Sequence, residues 1–129
     1  MAKTILVADR PESDRRICEI LAGHDVTFVR TLGEAQRSLD AQPFDLVIVG
    51  VHFDESRMFD MLRCLPEGRV VVCVRSQHFV SPAITLEGLE IAAKALGCRL
   101  FLDLTWYADD ATGNGAVRKL LEALLSPAS

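Results

Sequence analysis

Five short apolar runs, most of them β-branched, set the tightest limit on how this chain can fold: Thr4 to Ala8, Val26 to Arg30, Asp45 to Val51, Arg69 to Val74 and Arg99 to Leu104. Leu46-Val47-Ile48-Val49 and Val70-Val71-Val72-Cys73-Val74 are apolar without alternation. A strand of that kind is covered on both faces, which is the condition of a parallel sheet between two helical layers. Parallel neighbours are joined only through a crossover, so helices must lie between the runs.

The intervening segments carry helix signals. Pro11 suits a first helical turn, Ile17, Ile20 and Leu21 form an apolar stripe, and Gly23 suits a left-handed stop. Thr31-Leu32-Gly33-Glu34 reads as a capping box, with Ala35 and Leu39 following on one face. A short third helix carries Met58, Met61, Leu62 and Leu65 before Pro66, and a fourth, near Leu86 to Leu96, turns Leu89, Ala92, Ala93 and Leu96 inward and ends at Gly97. The last is predicted to start near Asn114, with that residue as N-cap in a Gly113-Asn114-Gly115 turn, to bury Val117, Leu120, Leu121 and Leu124, and to end at Ser126-Pro127. Five alternating βα units predict a flavodoxin-like, doubly wound α/β domain spanning residues 1–129, with a five-stranded parallel sheet in the order 2-1-3-4-5. In that architecture the functional crevice lies beyond the carboxyl ends of the strands, at Asp9, Gly50, Val74 to Ser76 and Leu104 to Trp106.

Charge and cysteine usage narrow the partners. Fourteen basic against eighteen acidic residues leave a net charge of −4, which argues against general nucleic-acid or anionic-membrane binding. Cys18, Cys64, Cys73 and Cys98 form no C-x-x-C pair and read as reduced core or near-core thiols. With no targeting segment in evidence, these features predict a cytoplasmic location.

Over essentially its whole length the chain resembles the receiver domain of two-component response regulators. The resemblance rests on the opening Thr4-Ile5-Leu6-Val7-Ala8-Asp9-Arg10, on Ser13-Asp14-Arg15-Arg16-Ile17 following without a gap, on Asp45-Leu46-Val47-Ile48-Val49-Gly50, and on Gly97 through Leu104 with Phe101 at the aromatic switch position. It implies a phosphorylation pocket, and this sequence departs from that pocket. A receiver needs a carboxylate nucleophile, an acidic pair for Mg²⁺, a hydroxyl ending strand four and a lysine ending strand five. Asp9 matches the first acid, but Arg10 replaces the second, Gly50 stands at the acceptor position, Val74 or Arg75 stands where Thr or Ser is expected, with Ser76 slightly further on, and Leu104 replaces the lysine. Asp54 is the nearest substitute acceptor. The expectation is therefore a stand-alone pseudo-receiver, not an enzyme, that uses no cofactor and acts in signalling through protein partners without Asp phosphorylation. Its contact surface would include Phe101, Trp106 and Tyr107, with a homodimer through helix four, strand five and helix five as one outcome.

Two readings of the residues remain beside this. Arg10 either pairs with Asp54 or Asp103, its guanidinium standing in for metal and lysine charge, or points into water with Asp9 as a remnant. Alternatively, the scaffold is a small-ligand binder or enzyme whose crevice is lined by Asp9, Arg10, His52, Asp54 and Asp103, with Arg10 clamping an anion and Asp9 or Asp54 as base. His52, His78, Asp54 and Glu55 lack metal-ligand spacing, so no metal site is expected. The loop from Ser76 to Pro82 and the link from Thr105 to Asn114 are long, which suggests a surface rebuilt for a partner or fixed in one conformation.

Overall fold

A computed structural model describes residues 2–65, 69–76 and 85–125. Pro66, His78, the Gln77 to Pro82 loop and the Ser126-Pro127 stop lie outside the described residues. The strands are β1 (Thr4–Ala8), β2 (Asp25–Val29), β3 (Leu46–Gly50), β4 (Val71–Arg75) and β5 (Leu100–Asp103), all parallel, in the order β2-β1-β3-β4-β5. The helices are α1 (Asp14–Ile20), α2 (Leu32–Ala41), α3 (Met58–Cys64), α4 (Leu86–Ala95) and α5 (Ala111–Leu125). The expected flavodoxin-like topology is the one observed.

Successive side chains of each strand point to opposite faces, so the unbroken apolar runs feed two cores. Ile5, Val7, Leu46, Ile48, Val72, Val74 and Leu102 pack against α1 and α5. Leu6, Ala8, Val47, Val49, Val71 and Cys73 pack against α2, α3 and α4. Full burial of one aliphatic side chain is worth about 1.5–3 kcal/mol, so the two layers can hold locally unfavourable backbone at the strand ends. Such backbone occurs after β3, where Asp54, Glu55 and Ser56 take φ values of 43°, 55° and 69°. Left-handed backbone is rare for residues with a Cβ, and aspartate tolerates it better than most.

Helix ends follow the sequence signals in most places. Thr31 and Glu34 form the reciprocal capping box, and Gly23 and Gly97 take φ values of +92° and +104° after α1 and α4. The first helix begins with a 3₁₀ turn, Pro11–Ser13, before α1 proper. Three expectations need correction. The last helix starts at Ala111, not near Asn114, because the Asp110 carboxylate accepts from the Gly113 amide at 2.8 Å and caps the helix earlier. Asn114 is accordingly a buried residue inside α5 and not an N-cap, and Leu120 lies on the exposed side while Val117, Leu121 and Leu125 are buried. Of the four free cysteines, Cys73 and Cys98 are buried, whereas Cys18 and Cys64 are exposed. Among the described residues no helix is long and apolar enough to cross a membrane.

Candidate functional site at the carboxyl ends of the strands

Asp9 follows β1 directly and is buried to 2% exposure. Its Oδ1 accepts from the Arg10 amide at 2.8 Å, and its Oδ2 accepts from the Ser13 hydroxyl at 2.9 Å and the Ser76 hydroxyl at 3.5 Å. Burial pushes the carboxyl above its ordinary value, against the lowering by the Arg10 amide and Ser13 hydroxyl and by the nearby His52. The last residue of β3 is Gly50, and a Cβ built there would lie 2.0 Å from Asp9 Oδ1 and 2.2 Å from its Cγ. The Asp9 carboxylate therefore occupies the space into which a side chain at position 50 would project. Gly50 is required by that close approach, not by a special backbone conformation.

Asp9, Arg10, Pro11, Arg30, His52, Asp54 and Glu55 line a cavity of about 240 Å³. Of the two readings of Arg10 the exposed one is observed: it does not pair with Asp54 or Asp103, and its Nε donates to Glu12 at 2.8 Å on the exposed rim, because the 3₁₀ turn brings residues 10 and 12 together. Asp54 instead accepts from the Leu32 amide at 2.9 Å at the start of α2. Arg30, which sequence reasoning missed, donates to the Asp9 carbonyl at 3.1 Å, pairs with both Asp14 oxygens and lies over the Phe28 ring.

The ends of β4 and β5 are built from different residues. Val74 pairs with Gly50 in register and is buried in the core beneath α1 and α5, so Arg75 is the residue that closes β4. Its Nη1 meets Asp103 Oδ2 at 2.7 Å, with both side chains 12% exposed. Asp103 also accepts from the Thr105 amide at 3.0 Å and from its hydroxyl. Burial is the largest influence on the Asp103 carboxyl and raises it, yet the Thr105 and Arg75 donors together outweigh burial and leave it below its ordinary value. Asp103 is thus held by Arg75 and is not among the lining of the Asp9 cavity.

After β5 the chain makes a 3₁₀ turn, Leu104–Trp106. Leu104 is buried in the core against α1 and α5, and Tyr107 packs partly against the same cluster. Phe101 packs partly against the opposite cluster, whereas Trp106 is 81% exposed. The three aromatics thus do not form one continuous exposed patch. Arg16 of α1 reaches this turn: Nη1 donates to the Leu104 carbonyl at 2.8 Å, Nη2 to the Tyr107 and Ala108 carbonyls at 2.8 and 3.1 Å, and Nε to Asn114 Oδ1 at 2.8 Å. The sequence offers no signal for this role, since Arg16 reads as an ordinary helix-surface residue. Among the described residues no group of three or more His, Cys, Asp or Glu converges as metal ligands, and His78 lies outside them.

No protein-family model and no curated protein sequence matches the chain. Solved structures do. A response regulator from Thermotoga maritima superposes with a TM-score of 0.74 at 17% identity, covering 98% of this chain and 100% of that one. A CheY-like response regulator receiver domain from Methanospirillum hungatei superposes at 0.68 with 18% identity, covering 96% and 94%. A chemotaxis response regulator of Vibrio cholerae superposes at 0.69 with 18% identity, covering 96% and 98%. At these identities the likeness establishes the fold: this chain has the architecture of CheY-like receiver domains.

Proposed function

We propose that this chain is a pseudo-receiver: a signalling module that acts through protein contacts and takes no phosphoryl group on an aspartate. The observation that carries the reading is the Asp9 carboxylate standing over Gly50, where an acceptor side chain would project. An acyl phosphate needs a carboxylate nucleophile at that point. Gly50 has none, and Asp9 is buried, drawn toward its neutral form and engaged by the Arg10, Ser13 and Ser76 donors. Asp54, the substitute acceptor, is engaged with the Leu32 amide. Nor do these residues suit a divalent ion, which takes several oxygen ligands: Gly50 offers no side-chain oxygen and Arg10 places a guanidinium on the rim.

The contact surface we assign centres on Trp106, which is exposed, while Tyr107 and Phe101 pack partly into opposite cores; Trp and Tyr are enriched in the energetic centres of interfaces. Ile91 of α4, at 63% exposure, and Leu120 of α5 are further exposed apolar side chains, and the net charge of −4 favours a protein partner or a second copy over nucleic acid or an anionic membrane. The ligand-binding alternative is supported less, because the cavity of about 240 Å³ falls below the range typical of small-molecule sites. The test is incubation with acetyl phosphate and Mg²⁺ followed by intact-mass measurement. The mass is expected to stay unchanged; a stoichiometric, hydroxylamine-labile gain of about 80 Da, the mass of one phosphoryl group, overturns the proposal.

A further inference from the structure

We infer that Arg16 is the positioning residue of the Trp106 turn, holding it in one conformation. The inference rests on the reading of Trp106 as a recognition residue, and its support is separate. A side chain 81% exposed ordinarily sits on mobile backbone, because little packs against it. Here the backbone on both sides of Trp106 is tied down. Arg16 bonds the Leu104 carbonyl before it and the Tyr107 and Ala108 carbonyls after it, at 2.8–3.1 Å. A planar guanidinium presents its donors in a fixed fork, so binding several acceptors at once fixes their relative positions.

The fork is itself oriented from behind. Its Nε is held by Asn114 Oδ1, and the Asn114 amide nitrogen donates to Glu19 Oε2 at 3.1 Å, which fixes which end of the amide faces Arg16. Arg15 pairs with Asp109 just beyond the turn, and Asp109 Oδ1 lies 3.8 Å from Arg16 Nε. On the other side Gly113 presses on Ala108 so closely that a Cβ there would lie 1.9 Å from the Ala108 oxygen. Leu104 and Tyr107 are anchored in the core at either flank. Thus the indole is solvent-exposed on a backbone that has no slack.

Trp106 is the sole tryptophan of the chain, so its fluorescence reports this turn alone. The experiment compares the wild-type chain with Arg16→Ala, Arg16→Lys and, as a control, Arg118→Ala. Arg118 donates to the Ile20 and Ala22 carbonyls at 3.2 and 2.7 Å, along the same α1–α5 seam but away from the turn. Wild type is expected to combine strong acrylamide quenching with an anisotropy decay dominated by whole-molecule tumbling. Arg16→Ala should raise the amplitude of the fast, local depolarisation by about twofold, and millimolar methylguanidinium should reverse that rise. Arg16→Lys, which keeps charge without the fork, should behave like the alanine variant and serves if the latter fails to fold. Arg118→Ala should lower the melting temperature and leave the fast component unchanged. Equal anisotropy decays in the wild type and both Arg16 variants, or equal loosening in Arg118→Ala, overturn the inference. Neither a phosphoryl donor nor a partner enters the measurement, so its failure is separate from failure of the proposed function.

Discussion

Between β1 and β3 the carboxyl end of the sheet is closed by a carboxylate held by an amide and two hydroxyls; beyond β5 the loop that follows it is closed by a guanidinium held by carbonyls, an amide oxygen and a nearby carboxylate. Each region contains a glycine pressed against its neighbour, but the neighbours differ in kind. At Gly50 an added Cβ would meet the end of the Asp9 side chain, whereas at Gly113 it would meet the backbone of Ala108. A side chain can rotate away at the cost of its hydrogen bonds. Backbone anchored on both sides cannot. The space above Gly50 is therefore occupied but locally adjustable, and the turn is rigid, which is the division of labour expected if recognition has moved from a chemical pocket to a displayed residue.

The same substitution at both glycines separates the two behaviours. Gly113→Ala is expected to cost about 3 kcal/mol, because overpacking against fixed backbone displaces the whole turn. Urea denaturation measures the loss, and the emission of Trp106 should change with it. A near-neutral Gly113→Ala would mean that the turn yields and that the contrast is false.

Gly50→Ala should cost less, about 1–2 kcal/mol, since Asp9 can swing aside after losing its contacts with Ser13 and Ser76. The sharper measurement is the double-mutant cycle. If the clash is with the Asp9 carboxylate, Gly50→Ala should be nearly free in an Asp9→Ala background, giving a coupling of about 1–2 kcal/mol. Additive effects would show that Asp9 does not occupy the space above Gly50.

The degree to which these features were legible in the sequence follows the range of the interactions. The strands, the Thr31–Glu34 box and the stops at Gly23 and Gly97 depend on periodicity and on neighbours within four residues, and each can be read directly; the sheet order follows from the strict βα alternation. Asp9 was legible as the residue that matches a receiver pocket and Gly50 as a departure from it, but not the contact between them, which exists only once β1 and β3 are paired. Arg10 was left open between a distant partner and solvent, and its pairing with Glu12 two residues on exists only because Pro11 begins a 3₁₀ turn. Arg16 was invisible because its partners lie 88 to 98 residues away and three of them are main-chain carbonyls, which carry no sequence signature. The start of α5 was misplaced for a related reason: Asn114 and Asp110 are both good caps, and packing against α1 places Asn114 inside the helix.

The smallest effect is also the one that sets the two regions in opposition, because their carboxylates are shifted in opposite directions. Asp9 is raised by burial, so the folded state holds its proton more tightly than the unfolded chain does; stability carried by this group is present below the ordinary carboxylate value and is lost as pH rises through the raised one. Asp103 is lowered on balance, since Thr105 and Arg75 together overcome its burial; its contribution is present above the ordinary value and is lost as pH falls through the lowered one. Asparagine at position 9 can still accept from the Arg10 amide and bond the Ser13 and Ser76 hydroxyls. Asp9→Asn should therefore abolish part of the decline in stability above the ordinary carboxylate range and leave the acid limb intact. Asp103→Asn should flatten the acid limb and lower stability at neutral pH, where the ion pair with Arg75 is lost. Chemical denaturation of the two variants from pH 3 to pH 8 compares the slopes. Slopes that change in the same direction in both variants would remove the distinction between a carboxyl buried among neutral donors and one held by charge.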